Sequence, residues 1–333
     1  MNHLFANFGR ARVLVVGDIM LDEYLVGEAT RISPEAPVPV VEITETHYAA
    51  GGAANVAVNA ASLGARITLL GVTGQDRPAE LLRQALQKAG VDSSTILTAA
   101  RSTTCKTRVV SGQQQIVRFD VEDRSALPTN IRSELVKRFQ SLVAASDLCV
   151  LSDYGKGTIS TAFCQAAIQI ARGQNKPVIV DPKGTNYAKY VGCALVTPNQ
   201  KEALIATGFP SEHVDEIFAA GKSLLATLPG SSVLITRGPD GMTLFQPATK
   251  PLTISTEARR VFDVVGAGDT VIATLAVGLS AGLDIRVAVS LANVAAGIVV
   301  GRRGTVAVTA QELSEYAQSS VGLQSALISK LSA

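Results

Sequence analysis

Val261-Phe262-Asp263-Val264-Val265-Gly266-Ala267-Gly268-Asp269-Thr270 carries more information about this chain than any other run in it. It reads as a β-like apolar run that breaks into a turn of small residues and opens onto a helix, from about Asp269 through Gly278. Gly266, Ala267 and Gly268 leave backbone N–H groups unshielded, and the positive end of the helix dipole points at them, so an anion is favoured there. Asp269 then stands within reach of the group to which that anion is passed. The outline is that of a phosphoryl-transfer site. A helix start with Asp as its cap and Gly for close packing has the same local pattern, so the rest of the chain has to separate the two.

Working outward, short β-branched runs recur between longer helical patterns: Val13–Val16, Arg66–Gly71, Leu148–Ser152, Val178–Asp181, Ala194–Thr197 and Ser232–Thr236. Helical periods lie between them at Ala53–Leu63, Ala79–Ala89, Ile131–Ala144, Thr161–Arg172, Asn199–Thr207 and Val214–Leu228. Such alternation predicts an α/β fold with a doubly wound, mostly parallel sheet. Several runs end in polar residues, as in Gly17-Asp18, Ser152-Asp153, Asp181-Pro182-Lys183 and Thr236-Arg237-Gly238. Ligands bind beyond the carboxyl ends of parallel strands, so these endings are expected to ring one cleft.

Two segments break the rhythm: Tyr24–His47, with Pro34, Pro37 and Pro39, and Thr103–Val121, with alternating apolar and polar residues. Both read as antiparallel strands inserted as a small β lid over the cleft, covering about 22–48 and 103–121. An ordinary edge meander is the alternative. Bare sheet edges invite pairing, so the lid is expected to join its copy in a homodimer. Neither repeat nor interdomain linker is visible, and residues 1–333 are expected to form a single domain.

Composition narrows the classes of function. With 333 residues and 47% hydrophobic content the chain can bury a large core, and 30 basic against 28 acidic residues leave no global field for nucleic acid or a membrane surface. Cys105, Cys149, Cys164 and Cys193 show no C-x-x-C spacing, which fits reduced core thiols and a cytoplasmic protein. The apolar tract from Val271 to Val300 is broken by Asp284, Arg286 and Asn293, and reads as two buried helices rather than a membrane span. His3, His47 and His213 are scattered, which disfavours a zinc site or a Ser-His-Asp triad. Gly221-Lys222-Ser223 lacks the upstream Gly of a phosphate-binding P-loop, because Glu216 stands there. Val271 stands where a dinucleotide fingerprint starting at Gly266 wants a small residue.

Three further elements bear on chemistry. Gly51 and Gly52 open a helix of small residues with Asn55 in its first turn, a flat surface suited to a polyol or to tight helix packing. Asp18 and Asp22 follow the first strand, where a carboxylate accepts from sugar hydroxyls or caps a turn. Asn199-Gln200-Lys201-Glu202 opens a helix and puts Asn199 and Glu202 on adjacent turns of one face. That pair suits a hydrated Mg²⁺ on a nucleotide triphosphate, or a capping box, and the two are compatible.

Taken together, Gly51-Gly52 with Asn55, Asn199-x-x-Glu202, Thr236-Arg237-Gly238 and Gly266-Ala267-Gly268-Asp269 resemble the ribokinase-like, PfkB-type carbohydrate kinases, in order and over essentially the whole chain. Within that family, several stretches are similar to the D-glycero-β-D-manno-heptose 7-phosphate kinases of lipopolysaccharide core synthesis. They are Gly17-Asp18-Ile19-Met20-Leu21-Asp22, Arg31 to Val41, Ser152-Asp153-Tyr154-x-Lys156-Gly157, Asp181-Pro182-Lys183-Gly184-Thr185 and Val299-Val300-Gly301-x-x-Gly304-Thr305.

The resemblance implies Asp269 as the base, Gly266, Ala267 and Gly268 as the anion hole, and Asp18, Gly51, Gly52, Asn55 and Lys183 on the sugar side. It implies Asn199, Gln200, Lys201, Glu202, Thr236, Arg237 and Gly238 as the ATP and Mg²⁺ region, with Asn293 near the adenine, and it admits a monovalent cation. Many relatives continue into a nucleotidyltransferase domain, which is not expected within these 333 residues.

The expected reaction is Mg·ATP-dependent phosphorylation of the heptose 7-phosphate at its anomeric hydroxyl. Lys106, Arg108 and Arg118 alternate in the lid and match a sugar phosphate, or else form a solvated edge. Asp269, at a helix N-terminus, is expected to stay ionised and be a weak base. An NAD-type oxidoreductase and a sugar-sensing protein with a dead kinase site are the rival readings. The intact Gly-Ala-Gly-Asp run argues against the sensor.

Overall fold

The computed structural model describes residues 5–112, 114–210, 213–256, 261–302 and 304–318. Strand β1 (Arg12–Gly17) leads into two long strands, β2 (Ile19–Ile32) and β3 (Pro39–Gly52), before helix α1 (Ala53–Ser62) returns the chain to β4 (Arg66–Leu70). Short strands β5 (Val72–Thr73) and β6 (Leu97–Thr98) flank α2 (Arg77–Lys88), and β7 (Cys105–Ser111) and β8 (Gln114–Val121) follow. The chain then runs through α3 (Thr129–Val143), β9 (Leu148–Ser152), α4 (Thr161–Gly173), β10 (Val178–Asp181), β11 (Leu195–Val196), α5 (Gln200–Thr207), α6 (Val214–Thr227) and β12 (Ser232–Thr236). Last come β13 (Met242–Phe245), β14 (Leu252–Ile254), α7 (Ala267–Ser280), α8 (Ile285–Val299) and α9 (Ala310–Gln318).

The main sheet has the order β14-β13-β12-β11-β10-β9-β1-β4. Strands β12 through β4 in that order pair in parallel, and β13 and β14 close the edge antiparallel. Its two faces explain the near-continuous apolar runs. Val13 and Val15 of β1 enter one core with Ala53, Leu82, Ile272 and Leu291, while Leu14 and Val16 enter the other with Phe139, Phe163, Leu204 and Leu224. A strand covered by helices on both sides has no wet face to mark with polar residues. The tract from Val271 to Val300 forms the two buried helices α7 and α8 as expected. All four cysteines are buried and free, and among the described residues no helix is long and apolar enough to cross a membrane.

The two irregular segments meet in a second sheet of order β3-β2-β7-β8. Strands β2 and β7 pair in parallel, and β3 and β8 flank them antiparallel. The first segment begins earlier and ends later than the sequence rhythm indicated, because β2 follows β1 after Asp18 alone and β3 runs directly into α1, while β7 and β8 lie within the expected 103–121. Residues opposite one another share a face, so Asp22, Tyr24, Lys106, Arg108, Arg118 and Asp120 lie on one side. Val109, Val117, Phe119 and Tyr48 lie on the other.

Val261–Val265 is not a strand. Among the described residues it has no strand to pair with; instead Phe262 and Asp263 donate their N–H groups to the Val300 carbonyl, and the Asp263 carboxylate accepts from Val265 N and Gly304 N. Val261, Phe262 and Val264 are left exposed. Helix α7 also starts two residues before the expected Asp269, at Ala267, with Gly266 as its N-cap at φ +78°.

Candidate active site

Helix α7 brings Asp269 to the carboxyl end of the main sheet. Gly266 takes a left-handed conformation that allows the chain to turn into the helix, and a Cβ there would lie 2.9 Å from Asn55 Nδ2. A Cβ at Gly268 would meet nothing within 4 Å, so the space above the first turn is open. In that turn Ala267 N donates to the Val264 carbonyl and Thr270 N to the Gly266 carbonyl, and the N–H groups between them, at the start of the helix, have no carbonyl four residues back within it, which fits an anion. Gly51 and Gly52 are required sterically. A Cβ on Gly51 would sit 2.5 Å from Asp22 Oδ2, and one on Gly52 2.4 Å from the Asp18 carbonyl, with Gly52 at φ +58°.

Asp269 is 6% exposed and bonded on both oxygens. Asn55 Nδ2 donates to Oδ2 at 2.6 Å, and the Tyr154 hydroxyl donates to Oδ1. Asn59 donates to Asn55 Oδ1 at 3.0 Å and accepts from the Thr270 hydroxyl at 2.9 Å, closing a side-chain chain between α1 and α7. Burial pushes the Asp269 pKa up to about 6, with Asp22 adding to the rise and the Tyr154 and Asn55 hydrogen bonds opposing it. Asp269 is therefore a stronger base than the helix end alone suggested, and it stays ionised above about pH 6. Burial outweighs the helix dipole.

Asp18 differs from its expected place among sugar contacts. Its carboxylate accepts from the N–H groups of Tyr154, Lys156 and Thr158, each at 2.9 Å, and it is 2% exposed. It orders the turn after β9. Asp22 instead faces the cleft in a buried pair with Arg108 at 2.7 Å, both side chains under a tenth exposed. Arg108 also lies 5.1 Å from the Tyr24 ring centroid, and the Tyr24 hydroxyl meets Thr305 Oγ1 at 3.1 Å. Lys106 lies 5.6 Å over the Tyr154 ring, and burial lowers its pKa. Arg118 is half-exposed at the sheet edge, paired with Asp120 at 3.0 Å. Beside the Asp22–Arg108 pair, a cavity of about 630 Å³ opens between Tyr24, His47, Arg108, Phe262, Asp263 and Thr305.

The second group of expected residues gathers at β10–β12. Asn199 and Glu202 make a full capping box on α5: Asn199 Oδ1 accepts from Glu202 N at 2.9 Å, and Glu202 accepts from Asn199 N at 3.1 Å. Glu202 also takes the Lys183 ammonium at 2.7 Å. Gln200 and Lys201 are the next residues of that turn, and Asn199 bridges Thr236 across the sheet end. Arg237 is buried with an Nε that has no hydrogen-bond partner among the described residues, and Gly238 turns at φ +56°. Asn293 on α8 donates to the Ser255 carbonyl at 2.7 Å.

Asp181, at the end of β10, lies between the two groups. Burial holds its pKa well above the usual carboxylate range, and the nearby Asp269 and Glu202 charges push the same way. Neither Asp181 nor Tyr154 was singled out as a site residue from sequence. Both stand in stretches quoted for the family resemblance, Asp181 also in a strand-end run of the cleft rim, but neither was given a role there.

Residues 10–312 match the pfkB family carbohydrate kinase profile. The chain belongs to that family. It is 46% identical over 320 residues to the "Bifunctional protein HldE" of Pseudomonas aeruginosa strain LESB58, covering 95% of this chain and 65% of that protein. The chain thus spans about two thirds of the length of such curated relatives. Its fold is shared with the ribokinase of Arabidopsis thaliana solved with ribose and ATP, at TM-score 0.71 and 21% identity, covering 92% of this chain and 98% of that one. The phosphofructokinase-2 of Escherichia coli solved with potassium aligns at TM-score 0.79 and 20% identity, with the same coverages. The doubly wound α/β fold expected from the strand–helix rhythm, in the ribokinase-like form that the resemblance implied, is the one observed.

Proposed function

We propose that this chain transfers the γ-phosphoryl group of ATP to the anomeric hydroxyl of D-glycero-β-D-manno-heptose 7-phosphate, giving the 1,7-bisphosphate on the way to ADP-heptose and lipopolysaccharide core. The observation that carries the reading is Asp269, buried at the N-terminus of α7 beside the open Gly268 turn and facing a sheet that presents Lys106 and Arg108. The stretches similar to the heptose 7-phosphate kinases, with the 46% identity to the "Bifunctional protein HldE", favour this acceptor over other sugars.

In this reading Asp269 takes the proton of the acceptor hydroxyl, and the α7 N–H groups hold the charge that gathers on the transferred group. Asn55 and Asp22 contact the sugar, and Lys106, Arg108 and Arg118 draw in its phosphate. Asp18 and Lys183 act from behind, through the turn after β9 and through Glu202. The unpartnered Arg237 Nε and the open Gly268 turn fit an anionic nucleotide lying from β12 to α7. Mg²⁺, when bound, neutralises the phosphate charges. Glu202 is already engaged by Asn199 N and Lys183, so Asn199 and Glu202 would hold the ion through water. A neighbouring fold binds potassium, and a monovalent cation is proposed here too.

The sheet β3-β2-β7-β8 serves as a lid over the site. Its outer face exposes Val117, Phe119 and Tyr48, which supports a homodimer joined through the lids. Four buried free thiols suit the cytoplasm. A coupled assay of ADP release over a panel of hexose and heptose phosphates tests the reading. Turnover confined to heptose 7-phosphate is expected, and equal or better kcat/KM on unphosphorylated fructose or ribose overturns the acceptor assignment.

A further inference from the structure

The Asp269 carboxylate is held from two sides, and one holder, Tyr154, has no part yet in the chemistry. Tyr154 is itself fixed at three points. Its backbone N–H donates to Asp18 Oδ2 at 2.9 Å, the Lys106 ammonium of β7 lies 5.6 Å from its ring centroid, and its hydroxyl ends on Asp269 Oδ1. A carboxylate oxygen has two lone-pair sites, so one donor on each oxygen leaves each with a free direction for an incoming hydroxyl.

We propose that Tyr154 is a positioning residue for the transfer: its hydroxyl sets the rotation of the Asp269 carboxylate, with Asn55 on the other oxygen, so that a free lone pair meets the acceptor hydroxyl. The inference rests on Asp269 as the base. In the step, the acceptor oxygen bonds to the γ-phosphorus, and the bond from that phosphorus to the bridging oxygen breaks with its electron pair leaving on ADP. The acceptor proton passes to Asp269 and later to water. Tyr154 keeps its own proton, since burial and the nearby Asp269, Asp181 and Asp22 hold its hydroxyl well above the ordinary tyrosine range. It can therefore donate to Asp269 without competing to protonate it.

The hydrogen bond has a second effect. Asp269 is faced by Asn55 from α1, Asp22 from β2, Lys106 from β7, Tyr154 from the turn after β9 and Asp181 from β10. Of these, Tyr154, Asn55 and Lys106 favour the ionised carboxylate. Loss of the Tyr154 hydroxyl should thus make the base harder to ionise, an effect that a purely packing role would not have.

Tyr154→Phe keeps the ring beneath Lys106 and removes only the donor. The test is kcat against pH at saturating ATP, with whichever sugar phosphate the wild-type protein turns over. The acid limb should move up by about one pH unit, giving roughly fivefold less activity at pH 6 but little loss at pH 8, on top of any pH-independent change. KM for ATP should not move. Parallel profiles, or no change, overturn the proposal. Should the Phe variant not fold, 3-fluorotyrosine at position 154, a stronger donor, should shift the acid limb down, and an unmoved limb overturns the proposal equally. Asp269→Asn separates the two layers. If that variant turns over normally the base reading fails, and if it is inactive while the Tyr154→Phe profile stays parallel, only the role of Tyr154 fails.

Discussion

Replacing Asp269 by Asn removes a charge that burial makes costly, and its effects on stability and on turnover run in opposite directions. The carboxyl is 6% exposed, and its pKa rises from the ordinary aspartate value of 3.8 to about 6. The unfolded chain therefore ionises this group at lower pH than the folded one. Between the two values the folded state binds the extra proton, and stability falls as pH rises through that window. At about 1.36 kcal/mol per pH unit, the ionised group costs the native state about 3 kcal/mol near pH 7.5 and about 1.5 kcal/mol near pH 5. An amide of the same shape carries no such cost. Urea unfolding should show Asp269→Asn more stable than wild type by about those amounts, with the gain shrinking on acidification. Turnover should fall roughly 10²–10⁴-fold while Mg·ATP still binds. A variant no more stable than wild type at either pH refutes the burial argument, and near-wild-type turnover refutes the base.

Asn199→Ala and Glu202→Ala should each raise the Mg²⁺ concentration needed at saturating ATP and cost about 1 kcal/mol through the lost cap; an unchanged Mg²⁺ titration in both leaves only the capping box. Lys106→Met and Arg118→Gln should raise KM for the sugar phosphate far more than KM for ATP, and equal changes in both contradict a phosphate contact. Arg108→Met leaves Asp22 buried without its partner, so a stability loss of about 3–5 kcal/mol is expected by urea unfolding, much of it recovered by adding Asp22→Asn. Wild-type protein should sediment as a dimer at micromolar concentration and Phe119→Lys as a monomer, whereas a wild-type monomer removes the lid interface.

The strands of the parallel sheet were legible because each is covered on both faces and so is written as a continuous run of Val, Leu and Ile. Strands β5, β6, β13 and β14 were not, since they are short and stand outside the strand–helix alternation that marks the parallel strands. Val261–Val265 misled for a related reason: it has the apolar content of a strand, but strand pairing needs a neighbour, and Asp263 turns the segment onto α8 instead. In the site, the glycines and Asp269 announced themselves through local backbone needs. The Tyr154 contact spans 115 residues and the Asn55 contact 214, so no local pattern encodes either partner of the base. The base strength of Asp269 was underestimated because burial is a property of the assembled helices and not of the helix end alone. Asp18 and Asp22 look alike in sequence, and only the turn after β9 and the position of Arg108 tell them apart.

The most direct test of the central claim is the phosphorus NMR spectrum of the product formed from ATP and D-glycero-β-D-manno-heptose 7-phosphate. Transfer to the anomeric hydroxyl gives a bisphosphate with two monoester signals, one of which is split by the anomeric proton and disappears after mild acid while the 7-phosphate persists. A second phosphate that survives mild acid, or ADP released without any phosphorylated heptose product, contradicts the account.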